Sequence, residues 1–171
     1  MPGSSASTDW VHNMLRGYPS LPLKRIALWG LVLNAVWEFG QCTVFYDMWD
    51  WGFWRATAWM WGAILGDVVI VLGVALGAAL IVGSDRLRPP DVVGWAALLG
   101  VGFVASVGLE WAAQALDLWG YSELMPTVTV FGHTVGLSPV VQVTFIPAIS
   151  FWGGSKHVLE SANERSGRQG P

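Results

Sequence analysis

The chain is short of charge: of its 171 residues only 12% are Asp, Glu, Lys or Arg, about half the share of a typical soluble domain. It also lacks any basic surplus. Nine Lys and Arg stand against 12 Asp and Glu, a formal charge of −3, which leaves nothing to neutralise a phosphate backbone and sets nucleic acid aside as a partner. A single cysteine, Cys42, cannot close an intramolecular disulfide, and His12, His133 and His157 are too far apart in sequence for a zinc-ligand spacing. Glycine-rich phosphate loops, haem or iron–sulfur cysteine patterns and a Ser–His–Asp set within one membrane are missing too, so neither a cofactor nor a metal is expected. Asp47 and Asp50 are spaced D-x-x-D, but no second acidic cluster accompanies them to hold magnesium on a diphosphate.

What remains is apolar. With 53% hydrophobic residues and 12 tryptophans, the composition places the chain between water and hydrocarbon. The run from Ile26 to Tyr46 carries one charge, Glu38; that from Ala56 to Gly83 carries Asp67; that from Val92 to Leu116 carries Glu110. Each is long enough to cross roughly 30 Å of hydrocarbon as a helix. A fourth, uncharged segment, Gly136 to Trp152, is shorter and interrupted by Pro139 and Pro147, which predicts a kink or a late start. The expected fold is therefore all-α, a polytopic membrane bundle of about four transmembrane helices with an outward-facing polar pocket. Residues 1–25 form a cytoplasmic segment in which Trp10, Val11, Met14 and Leu15 suggest an interfacial helix. Residues 26–155 are the membrane domain, and 156–171 a disordered cytoplasmic tail.

Eight of the nine basic residues fall before the first span, between the second and third, or after the fourth, and Arg55 alone lies on the other side. The positive-inside rule then puts both termini in the cytoplasm and the connections from Asp47 to Arg55 and from Asp117 to Val135 outside. The first apolar run has no cleavage site and stays as an anchor. The expected location is a bacterial inner (cell) membrane, crossed several times.

Three carboxylic acids within spans are costly, at about 2.5 to 3.5 kcal/mol each at a helix centre. Counted at 1.5 Å per residue, Glu38 lies roughly 12 Å, Asp67 roughly 16 Å and Glu110 roughly 9 Å below the outer boundary. Asn34, Glu38 and Gln41 make one polar stripe; Ser106, Glu110, Gln114 and Asp117 make another. Gly62 and Gly66 beside Asp67 are expected to let helices approach closely, as are Gly73 and Gly77, and the fourth segment offers Ser138, Gln142 and Thr144. A pocket walled by Trp37, Phe39, Trp59, Trp61, Phe103 and Trp111, roofed by the loop from Trp119 to Val135, would hold an acid beside π faces able to stabilise a cation. Against this stand two other readings: interhelical glue in an accessory or pigment-binding subunit, and a small proton or ion path.

Asn34-Ala35-Val36-Trp37-Glu38 followed by a lone Asp67 resembles the N-x-x-W-E element of the small integral-membrane terpene cyclases of fungal meroterpenoid pathways and their bacterial relatives. The later Glu110-Trp111, Trp119-Gly120-Tyr121 and Met125-Pro126 look like the glutamate-bearing helix and W-x-Y loop of other membrane enzymes of carotenoid and sterol metabolism. The resemblance covers about a third of the chain and implies an isoprenoid cyclase or isomerase. Glu38 would be the proton donor, oriented by Asn34 and Gln41, with Asp67 and Glu110 sharing the proton, and Trp37, Trp61, Trp111, Gln114, Trp119 and Tyr121 would contact a lipid-soluble isoprenoid. Those enzymes have about seven spans, so a homodimer would be needed to complete a pocket of their size.

Overall fold

A computed structural model describes residues 21–46, 48 and 50–167, with side chains described as far as Lys156; the expected interfacial helix near Trp10 lies outside them. Four long helices follow one another: α1 (Leu23–Phe45), α2 (Phe53–Val82), α3 (Val92–Ala115) and α4 (Leu137–Gly167). A short hairpin of β1 (Thr127–Val130) and β2 (His133–Gly136) precedes α4. Its two-residue turn holds Phe131 at φ 48° and Gly132 at φ 83°, the positive-φ pair that suits the twist of a tight hairpin.

The helices run alternately in opposite directions. At one end the start of α1 meets the far part of α4, so close that a Cβ on Gly154 would stand 2.8 Å from the Ile26 nitrogen. At the other end the loop after α3 is tied to the end of α1: Ser122 N–H donates to Phe45 O at 3.0 Å, its hydroxyl donates to Val44 O at 2.9 Å, and Tyr121 bridges Tyr46. Between α2 and α3, Arg86 pairs with Asp91 at 3.3 Å while Asp91 caps α3 by accepting from Gly94 N–H at 2.7 Å.

Three helical segments are long and apolar enough to cross a membrane: Phe53–Val82, Val92–Ala115 and Leu137–Lys156. α1 has the length but not the apolarity, because it spends Asn34, Glu38 and Gln41 on its inward face. The apolar residues of α2 and α3 largely point outward; Val69, Leu80, Ile81 and Val104 are each about 70% exposed or more, more apolar surface than a water-soluble monomer shows.

Three expectations change. α4 does not end near Trp152 but runs to Gly167, so the segment read as a disordered tail is helical over most of its length; no Gly or Pro falls between Ser155 and Ser166, and each added residue gains a backbone bond. Pro139 sits in the first turn of α4, where no donor is lost, and Pro147 is carried inside the helix. Its missing N–H frees the carbonyl of Val143, and Gly102 of α3 lies against that atom: a Cβ there would be 2.7 Å away. The close approach expected at Gly62, Gly66 and Gly73 does not occur, since a Cβ at any of them would meet nothing within 4 Å.

The buried apolar core fills the end of the bundle nearer the start of α1. Ile26, Val71, Ala75, Ala78, Leu98, Ile146 and Phe151 form it.

Candidate functional site

The other half of the bundle holds polar side chains instead. On α1, Asn34, Glu38 and Gln41 recur at i, i+4 and i+7, one face of a helix, and all three are buried, Glu38 to 4% exposure. The face is built locally: Asn34 Nδ2 donates to Gly30 O at 2.9 Å and Trp37 Nε1 donates to Gln41 Oε1 at 2.9 Å. Opposite them stands Gln142 of α4, 2% exposed, whose position the bond-poor turn before Pro147 adjoins.

Gln142 is the hub. Its Nε2 lies 3.0 Å from Asn34 Oδ1, 2.7 Å from Glu38 Oε1 and 2.8 Å from Asp67 Oδ2, while its Oε1 accepts from Gln41 Nε2 at 2.7 Å. Gln41 Nε2 also reaches Glu38 Oε1 at 2.6 Å, Cys42 Sγ donates to Glu38 Oε2 at 3.0 Å, and Ser138 Oγ donates to Gln41 Oε1 at 2.8 Å. An amide nitrogen carries two hydrogens, so it cannot serve three acceptors. Two of the three oxygens can accept from it at a time, and two of the three belong to carboxyls. Glu38 and Asp67 both lie within hydrogen-bond distance of that one nitrogen, and two carboxyls held so close repel each other less when one of them carries a proton. Glu38 is already filled by Gln41, Gln142 and Cys42, whereas Asp67 is the less buried of the two. That proton is therefore best carried on Asp67.

Beside this pair opens a cavity of about 610 Å³. α2 lines it with a continuous stripe, Arg55, Ala58, Trp59, Gly62, Ala63, Gly66, Asp67 and Ile70. The glycines that pack against nothing thus serve the cavity, since their missing side chains leave the volume open. α1 contributes Glu38, Gln41 and Cys42, α3 Ser106, Leu109 and Glu110, and α4 Pro139, Gln142 and Val143; Tyr46 and Trp119 close one end.

Glu110, 2% exposed, lines the same cavity but is held separately. Its Oε2 accepts from the Tyr121 hydroxyl and from Gly136 N–H at 3.1 Å, so it ties α3 to the loop and to the start of α4. Among the described residues no group of three or more His, Cys, Asp and Glu is placed to hold a metal ion.

Of the residues singled out in the sequence, Glu38, Asp67, Glu110, Gln41, Trp59, Ser106, Gln142 and Trp119 meet at the cavity, with Asn34 behind them and Tyr121 holding Glu110. Trp37 supports Gln41 from outside the cavity wall. Trp61, Phe39 and Phe103 are about half exposed and face away. Trp111 packs on Phe131 and His133 of the hairpin at 6.0 and 5.6 Å between ring centroids. Gln114 is exposed, and the stripe on α3 stops at Glu110. The hairpin does not roof the cavity: it sits against Trp111, with Phe131 88% exposed, and of the segment from Trp119 to Val135 only Trp119 reaches the lining.

Sequence reasoning missed Tyr46 and Arg55 as lining groups, and it named Gln142 as a polar residue of the fourth segment but not as the hub. The 3.6-residue stripe through Arg55, Trp59, Gly62 and Gly66 was the available signal for Arg55. Comparison with protein-family models, curated proteins and solved structures finds no match for this chain.

Proposed function

We propose that the protein is a membrane-embedded acid–base catalyst that isomerises or cyclises an isoprenoid lipid by protonating it. One observation carries this reading: two carboxyls from different helices converge on one amide nitrogen, that of Gln142, on the wall of a mostly apolar cavity. Asp67, backed by Glu38 and Gln142, delivers its proton to a terminal alkene carbon, where the π pair takes it up, or to an epoxide oxygen, where a lone pair takes it up and the C–O pair passes to oxygen as that bond breaks. The cation so formed is attacked by an internal alkene, or loses a proton directly. The faces of Tyr46, Trp59 and Trp119 line its path. A carboxylate, Glu110 or the emptied Asp67, collects the departing proton, so the product is an isomer of the substrate and no co-reactant is consumed. The donor moves from Glu38, the residue that the N-x-x-W-E element suggests, to its partner, because Glu38 is saturated with donors.

In this reading α1 is a fourth span, its exposed Leu28, Val32, Val36 and Phe39 facing lipid, and both termini are cytoplasmic. Reporter fusions at Asp50 and Ser161 should report opposite sides; the same side for both overturns the topology. A proton path across the membrane is disfavoured, because the bundle beyond Asn34 is closed by Ile26, Val71, Leu98 and Phe151. An accessory subunit would hold the same network without turnover.

The test is turnover. Membranes containing the protein are given prenylated and epoxidised isoprenoids, and products of unchanged mass but altered retention are sought by chromatography and mass spectrometry. Asp67→Asn keeps the shape and should lower the rate about 10²-fold or more, the usual contribution of a positioned acid, with Glu38→Gln next. Full turnover in Asp67→Asn would overturn the assignment.

A further inference from the structure

The cavity end bounded by Tyr46 carries two side chains that can only donate hydrogen bonds, and neither has an acceptor among the described residues. Trp119 Nε1–H is buried without a partner, the state that a folded protein normally avoids. Arg55 lies with its guanidinium 3.9 Å from the centre of the Trp51 ring, and among the described residues no carboxylate is within ion-pair distance of it. Arg55 also stands in the first turn of α2, which has no acidic residue and no side-chain cap. A cation at that end opposes the helix dipole; Arg55 is exposed, and the Trp51 face that it covers attracts its charge but leaves its N–H donors without a protein acceptor among the described residues. Both donors line the cavity, and Arg and Trp have no acceptor atoms of their own to satisfy each other.

From Arg55 the α2 stripe runs through Trp59, Gly62 and Gly66 to Asp67. Twelve residues of helix separate its ends, about 18 Å at 1.5 Å each. The lining between is apolar and includes glycine, giving room for a chain but little for a polar group.

We propose that this cavity takes an amphipathic ligand whose anionic head, phosphate or carboxylate, is held by Arg55 and Trp119 Nε1 while its apolar chain lies along α2 toward Asp67. The proposal deepens the function given above by fixing the polarity of the substrate: the head stays bound at the mouth and the far end of the chain meets the acid. It rests on that reading for the role of Asp67 but not for binding.

Native mass spectrometry of the full chain, titrated with probes of one chain length, tests it without turnover. Monododecyl phosphate and dodecanoate represent the two anions, dodecanol the neutral head and dodecyltrimethylammonium the cationic one. Wild type should retain the anionic probes at concentrations at least tenfold lower than dodecanol, Arg55→Gln should erase that margin, and Arg55→Lys should restore part of it. Trp119→Phe should narrow it while keeping the ring. Retention of the phosphate but not the carboxylate would support the proposal and identify the head; equal retention of both would support it with either head. Equal retention of anionic and neutral probes by wild type, preference for the cation, or an unchanged margin in Arg55→Gln would each overturn it. Because Asp67→Asn leaves Arg55 and Trp119 in place, it should bind dodecyl phosphate as wild type does. The binding claim and the catalytic claim therefore fail separately.

Discussion

The two halves of this bundle are built from the same four helices by opposite means. Toward the start of α1, packing fills the interior: Ile26, Leu98 and Phe151 are fully buried, and glycine appears where backbones touch. Toward the hairpin, Gly62 and Gly66 of α2 touch nothing, and the interior holds a cavity with buried amides and acids around it. Dispersion contacts are the main attraction available to helices in lipid. A bundle that gives up half of them must hold together from the other half, so stability and chemistry should separate along its length.

The sharpest way to break this division is to damage the packed half. Phe151→Ala should cost about 3–5 kcal/mol through the cavity it leaves, read as a lowered midpoint of unfolding in detergent, with activity lost only in proportion to folded protein. Gly102→Ala is next, at about 1–3 kcal/mol of overpacking against a backbone carbonyl, because the added methyl has only backbone to push aside. Gln142→Leu should cost about 1–2 kcal/mol: single polar contacts between membrane helices average about 0.6 kcal/mol, and this side chain serves several. Its effect on turnover should far exceed its effect on stability. The smallest stability effect is expected at Gly66, where Ala gains helix propensity of up to about 1 kcal/mol and meets no neighbour, yet narrows the cavity and should lower binding of the longest chains. Activity falling in step with stability across all four would remove the division.

Much of this was legible from residue spacing, and the remainder was not for definite reasons. The ends of α2 and α3 fall within a few residues of the hydropathy boundaries, and Asn34, Glu38 and Gln41 reveal their shared face because i, i+4 and i+7 can point nowhere else. Periodicity gives a face but not what it faces. Trp61 and Phe103 therefore looked like pocket walls although they point outward, and Gly62 and Gly66 looked like contacts although they bound a space. Ser106 and Glu110 are buried while Gln114, on the same stripe, is exposed near the helix end, a distinction set by where α4 stops covering α3. Arg55 stood out only as the exception to charge sorting. The convergence of Glu38, Asp67 and Gln142 from three helices depends on long-range packing, which no local pattern records.

Pro147 fixes the height of this convergence. A regular helix can slide by a turn against its neighbour and find nearly the same surface again, because its carbonyls are all engaged and all alike. The freed carbonyl of Val143 marks one level on α4, and Gly102 is the matching notch on α3. Gln142 is the residue next to that mark. A fault in the hydrogen-bond ladder thus acts as a locating pin, setting the axial position of the amide that receives Asn34, Glu38 and Asp67.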